Sequence, residues 1–318
     1  MVSMKAFRKV TGSAYAPAAL LVFALGLWGC GPSGSPDQGE RKGADSSDAA
    51  MGNSAAVIEV ATASGIPMLL VPGGSFMMGS ADGEEDESPV HRVTLAPFVM
   101  DVTEVTHAMF EKMQLPNPSK WQDSPDKPVN QIRWRDAKQF CNERSLEEGL
   151  DPCYDETKPG WPCDFEASGY RLPTEAEWEF AARAGMDGDF PFGSADKLPF
   201  FAWFADNSGA QTHPVKSRKP NAWGFYGLYG NVSEWCQDVF DPGYYATSPA
   251  ENPRGPSETG EDARRVIRGG SWKSSSSMCR VSFRQGQQTG DTDACFYTDF
   301  CGFRCVRKPS VAELAMLP

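Results

Sequence analysis

Short apolar stretches recur along the chain, and their period changes partway through. Residues 57–60 and 68–71 carry apolar runs the length of a short strand. Pro72, Gly73 and Gly74 supply a turn, residues 75–80 leave it as a third strand, and residues 90–95 alternate as a fourth. The spacing then shifts from two to between three and four. Met109, Phe110 and Met113 share one face of a helix that starts at Thr106, an N-cap type, and stops at Pro116 and Pro118. Ala137, Phe140, Cys141 and Arg144 mark a second helix over 134–148, closed by Gly149. The sharpest start is Thr174 with Glu177 three residues on, a reciprocal cap, and that helix ends at Gly185. Beyond it helical spacing almost disappears. Short strands over 265–272 and 302–307 stand among loops rich in Trp, Gly and Pro. Strands, a few helices and a long irregular half predict an α+β fold with little regular secondary structure.

The first residues lie outside this pattern. Lys5, Arg8 and Lys9 precede an uncharged, largely apolar run over 14–28. That run falls short of the ~20 residues of a comfortable membrane-spanning helix, and residues 1–29 read as a signal peptide. The string Leu27-Trp28-Gly29-Cys30 resembles a bacterial lipoprotein cleavage box, with Trp28 where a small residue is usual, so Cys30 is the expected lipidation site. Residues 30–54 are mostly Gly, Ser, Asp and Ala, too polar to bury a core, and read as a disordered tether. The folded domain is expected over 55–318. The expected location is the bacterial cell envelope, with acyl chains in the membrane and the exported domain in water.

Charge and cysteines narrow the picture. Lys+Arg 30 against Asp+Glu 42 leaves a net charge of -12, which argues against a nucleic-acid partner. Setting Cys30 aside from 9 cysteines leaves eight, and export would place them where disulfides form. Cys153 and Cys163 flank a loop containing Pro159, Gly160 and Pro162, and Cys295 and Cys301 bracket another; these are the candidate pairs. No C-x-x-C motif occurs, and His91, His107 and His213 are far apart, which speaks against zinc. The acidic run over 82–87 reads as a solvated face. Trp161, Trp203, Tyr244 and Tyr245 are candidate aromatics for an exposed binding surface.

Four strings then occur in a telling order: Arg171-Leu172-Pro173-Thr174-Glu175-Ala176-Glu177-Trp178-Glu179, Gly230-Asn231-Val232-Ser233-Glu234-Trp235, Arg268-Gly269-Gly270-Ser271-Trp272 and Gly302-Phe303-Arg304. With shorter matches over roughly residues 66–308 they resemble the formylglycine-generating enzyme, or sulfatase-modifying factor, family. The resemblance implies a C-type-lectin-like variant of the α+β class. Oxidases of that family hold copper between two thiolates in the loop after the double glycine. Counted from Trp272, those positions fall on Ser274 and Cys279; aligned on Arg280-Val281 and Arg284, neither has a counterpart. Ser274 and Cys279 are therefore the candidate catalytic positions, and a serine hydroxyl is a poor Cu(I) ligand. The resemblance also implies calcium, at Asn207 and Ser208 and at Gly230, Val232 and Glu234, with Gly227 where the family has a side-chain ligand. Two functions compete. One is a binding or accessory module for an exported protein, peptide or glycan. The alternative is a copper-dependent oxidase that converts a sulfatase cysteine to formylglycine.

Overall fold

The N-terminal apolar runs pair as their spacing predicts. In the computed structural model, which describes residues 57–257, 263–290 and 298–318, β1 (Ile58–Val60) lies antiparallel to β2 (Met68–Val71). β3 (Gly74–Met78) and β4 (His91–Leu95) form a separate ribbon with Phe76 opposite Val93. Gly73 makes the turn into that ribbon at φ 76, and a Cβ there would lie 2.4 Å from the Leu95 carbonyl oxygen, so only glycine fits. β5 (Phe98–Asp101) returns to β2, with Leu70 opposite Val99. The expected signal peptide, the tether and Cys30 lie outside the described residues.

The predicted helices form with their predicted caps. α1 (His107–Lys112) is opened by Thr106, whose hydroxyl accepts the Met109 amide at 3.3 Å. α2 (Trp134–Glu147) buries Ala137, Phe140, Cys141 and Arg144 and is followed by Gly149 at φ 69. β6 (Tyr170–Arg171) leads into α3 (Glu175–Arg183), where Thr174 Oγ1 accepts the Glu177 amide at 3.2 Å and Glu177 Oε2 accepts the Thr174 amide at 2.8 Å. Every residue of α3 is buried. A short α4 (Leu198–Phe201) follows.

The second half is built on a strand that periodicity does not reveal. β7 (Ser233–Val239) is buried at all seven positions, so it shows no in–out alternation, and Glu234, Gln237 and Asp238 disguise it further. β8 (Arg265–Arg268) and β9 (Arg284–Gln287) extend it antiparallel, and β10 (Cys301–Gly302) joins its other side in parallel. β11 (Val306–Arg307) crosses to the first sheet, which runs β1-β2-β5-β11-β6; the second runs β10-β7-β8-β9. α5 (Val311–Leu314) ends the chain. The α+β class holds. The C-type-lectin-like variant is corrected: the scaffold is a five-stranded sheet, a four-stranded sheet and a ribbon, with α3 packed between ribbon and second sheet.

Two apolar clusters fill this frame, one around Trp178, Phe180, Phe225 and Tyr229, the other around Phe110, Phe140, Trp235 and Phe303. Phe140 stacks on Phe110 at 5.6 Å and meets the edge of Phe303 at 5.3 Å. Through them run buried guanidinium–carboxylate pairs. Arg304 grips Glu234 with two 2.7 Å bonds, Arg284 grips Glu175 at 2.7 and 2.8 Å, and Arg268 bonds Glu179. The acidic run differs from its expectation at one end. Glu87 is fully buried and takes two bonds from Arg280, at 2.7 and 2.6 Å.

The disulfide expectation is corrected as well. Cys153, Cys163 and Cys301 are free thiols, and Cys295 lies outside the described residues. Cys153 donates to the Gly169 carbonyl at 3.2 Å. Its thiol also meets that of Cys163, so the fold brings this expected pair together without joining it, and backbone bonds, Asp164 amide to Cys153 carbonyl at 2.7 Å and Asp155 amide to Pro162 carbonyl at 3.2 Å, close the loop. Cys301 sits in β10, where burial pushes its thiol up to about 12.

Arg304→Met would leave Glu234 buried without its cation. Breaking such a pair costs roughly 3–5 kcal/mol, to be read as a lowered midpoint in urea unfolding. The double variant Arg304→Met/Glu234→Gln should recover part of that loss.

Candidate functional site

After β8 the chain turns on two glycines in left-handed conformations, Gly269 at φ 91 and Gly270 at φ 68. The turn brings the loop back on itself. A Cβ on Gly270 would lie 2.9 Å from Cys279 Sγ, so the thiol packs directly behind the glycine backbone. Cys279 is fully buried, and that burial pushes its thiol up to about 12. Ser274 is also buried: its hydroxyl accepts the Ser271 amide at 3.0 Å and contacts the Ser271 hydroxyl at 3.1 Å. Its carbonyl accepts the Ala205 amide at 3.0 Å. The two candidate catalytic residues therefore serve the loop's own closure. One is a hard hydroxyl already bonded, the other a fully buried thiol that burial keeps protonated. They do not fit a Cu(I) ion, which needs soft, ionised sulfur donors. Among the described residues no group of three or more His, Cys, Asp or Glu side chains converges on a metal position.

What the loop does present is Trp272. Its backbone is pinned on both sides, the amide to the Asn231 carbonyl at 2.8 Å and the carbonyl to the Ser208 hydroxyl at 2.6 Å. The indole meets the Trp121 ring edge-on at 5.2 Å and donates Nε1 to the Asp299 carbonyl at 3.0 Å. Both rings are half-buried. The Asp299 carboxylate holds Lys120 at 2.8 Å and Lys273 at 3.2 Å. Lys120 Nζ lies 4.6 Å from the Trp121 ring and Lys273 Nζ lies 4.0 Å from the Phe300 ring. The result is a fixed corner with two indole surfaces and two ammonium groups at one edge. Neither the spacing of Lys120-Trp121 nor that of Trp272-Lys273 reveals this in the sequence, because they meet only through the fold. Of the aromatics expected at a surface, Trp161, Tyr244 and Tyr245 are buried. Trp203 is half-buried, stacked between His213 at 3.7 Å and Arg218 at 3.5 Å.

Three of the residues implied for calcium, Glu234, Asn207 and Ser208, are already bonded within the protein. Glu234 Oε2 accepts Trp178 Nε1 at 2.8 Å as well as Arg304, so both carboxylate oxygens are taken. Asn207 accepts the Phe204 amide at 2.9 Å and donates to the Ala202 carbonyl at 3.0 Å; the Ser208 carbonyl is bonded to His213 Nε2 at 2.6 Å. Gly230 and Val232 contribute at most backbone to such a set. Hence these side chains do not fit a calcium ion, which wants several free oxygens.

One carboxylate nearby escaped the sequence reading. Glu104 is fully buried, its Oε1 accepts Asn231 Nδ2 at 3.0 Å, and its Oε2 has no hydrogen-bond partner among the described residues. It fills the space left by Gly227, where a Cβ would come within 2.0 Å of Oε2. Burial raises Glu104 to about 7, with Glu234 adding to the rise against the pull of Arg304. Asn231, left-handed at φ 61, also accepts the His213 amide at 2.9 Å and so ties the 203, 213 and 272 loops to Glu104.

Comparison with known proteins agrees with the motifs. The sulfatase-modifying factor enzyme 1-like domain matches residues 54–309. The chain belongs to that family. It is 34% identical over 305 residues to the formylglycine-generating enzyme of Streptomyces coelicolor, covering 74% of this chain and 87% of that protein. It is 36% identical over 248 residues to the serine/threonine-protein kinase pkn1 of Chlamydia pneumoniae, covering 76% of this chain but only 38% of that relative's length. Among solved structures, Treponema denticola variable protein 1 superposes with a TM-score of 0.70 at 29% identity, covering 80% of this chain and 99% of that one. The fold is thus that of the sulfatase-modifying factor group, which replaces the C-type-lectin assignment.

Two outcomes follow from burial. Cys279 should remain unmodified when the native protein is treated with iodoacetamide at pH 8 and become modified only after denaturation, as peptide mapping would show. Glu104 has a folded-state value raised above the ordinary 4.5, so its contribution to stability is full below that value and is lost as pH rises through 7. Asp238, raised by burial to about 8, acts in the same direction. Glu104→Gln should flatten the fall in Tm between pH 5 and pH 8, ending roughly 2–4 °C above the parent at pH 8.

Proposed function

We propose that the chain is a binding or accessory module, which captures an extended peptide segment of another exported protein at the Trp121–Trp272 corner. The observation that carries this reading is the loop after the double glycine. It spends Ser274 and Cys279 on its own closure and presents Trp272 beside two ammonium groups instead. Indole faces take apolar side chains or proline rings, and lysines at their edge donate to peptide carbonyls. Such a pattern suits recognition and offers no nucleophile or redox group. A lipid on Cys30 would hold the domain at the envelope, in keeping with the charged start and apolar run that precede it. Among the described residues no helix is long and apolar enough to cross a membrane.

The copper-oxidase alternative makes a separable prediction. Purified protein incubated with copper, oxygen and a cysteine-containing sulfatase peptide should return the peptide with its thiol chemistry unconverted to aldehyde, as read by mass spectrometry. Aldehyde product would overturn the binding reading. Trp272→Ala should abolish, and Lys273→Gln should weaken, capture of peptides selected from a random display library on the parent protein. A glycan ligand would instead show as failure of the library combined with retention on a glycan array.

A further inference from the structure

A cavity of about 350 Å³ opens where the β4–β5 connection, the loop at Phe165 and the segment after β11 meet. It shares no lining residue with the Trp121–Trp272 corner. The volume lies in the ~300–1,000 Å³ range of small-ligand sites. Pro97, Pro253 and Pro309 stiffen its walls, and Phe165 and Leu314 give it an apolar lining.

Its charges are unevenly matched, three cations facing two carboxylates. Arg171 and Glu177 close on each other through two 2.7 Å bonds, and Arg171 also donates to the Leu172 carbonyl at 3.1 Å. That pair is neutral and locked. At the rim Lys308 bonds Glu166 at 2.8 Å. Arg254 is left over. It makes no hydrogen bond or close ion pair with a described residue, although its charge helps Lys308 hold the Glu166 carboxyl below the usual range, and its guanidinium lies 4.0 Å from the centre of the Phe165 ring, which Arg171 also approaches at 4.9 Å. The ring restricts a long side chain that would otherwise roam, so less entropy is lost when its donors engage a ligand. Those donors form a fork that matches a carboxylate. The net charge of -12 does not decide the matter, since exposed charges beyond ~8–10 Å are screened at physiological salt.

We propose that this cavity binds a small apolar carboxylate, with its acid group on Arg254 and its body between Phe165 and the Leu314 wall. That chemistry is shared by a free organic acid and by the C-terminal residue of a peptide. Isothermal titration calorimetry with N-acetylphenylalanine, with its neutral amide and with the tripeptide Ala-Ala-Phe tests it. The free acid should bind, and the amide should bind at least about tenfold more weakly, because it lacks the charge that strengthens the hydrogen bonds to Arg254. Arg254→Gln, at an exposed position, should erase that difference. Leu314→Trp, which fills the cavity, should abolish binding of both, with a melting curve confirming that each variant is folded. Tighter binding of the tripeptide than of the acid would identify a peptide C-terminus as the source, and equal or weaker binding a free acid. Equal affinity for acid and amide, a preference that survives Arg254→Gln, or no heat from millimolar acid would each overturn the proposal.

Discussion

Arg304 and Glu234 hold the centre of this molecule together. The guanidinium comes from the segment between β10 and β11, the carboxylate from β7, and both are fully buried. Besides Glu234, Arg304 bonds the carbonyls of Asp101 at 3.1 Å and Tyr226 at 2.7 Å, so one side chain ties together both sheets and the loop ahead of β7. A buried pair of this kind adds little net stability over an apolar substitute, yet losing either partner is severe. Its value here is geometric. In a domain with short strands and long loops, bidentate pairs from Arg to Glu add fixed geometry between segments that no strand ladder joins.

That constraint reaches outward to the surface. With Glu234 engaged by Arg304, Glu104 sits beside it, and among the described residues its side chain is bonded by Asn231 alone. Asn231 in turn fixes the Trp272 backbone, and Trp272 fixes the corner with Trp121. The loop that could have displayed two sulfur donors is thereby drawn inward. Ser274 and Cys279 thus serve the packing of the loop, and the indole of Trp272, two residues before Ser274, is the side chain it leaves half-buried. Relatives that share the scaffold carry names as different as a formylglycine-generating enzyme and a protein kinase. A scaffold anchored by internal ion pairs is compatible with such diversity, since the loops can change without disturbing the anchors.

What could be read from the sequence was local. The Thr174–Glu177 cap needs only two residues three apart, and it forms as its spacing predicts. The Gly149 stop and the Thr106 cap are equally short in range. What could not be read was decided by residues far apart. β7 has no periodicity because it is covered on both faces. Glu87 looks like part of a solvated acidic run until Arg280 reaches it across the fold. Cys153 and Cys163 look like a staple, but backbone bonds already close their loop. Motifs identified the family; they could not show that Ser274 and Cys279 point inward, because that depends on the packing of Gly270 against a thiol.

The loop after the double glycine offers copper no pair of sulfur ligands. Competition for Cu(I) against a chromophoric chelator, run on the parent and on Cys279→Ala under reducing conditions, tests it most directly. Cys279→Ala should leave copper uptake unchanged, whatever weak uptake the other thiols give. Tight, stoichiometric binding by the parent that disappears in Cys279→Ala would contradict it.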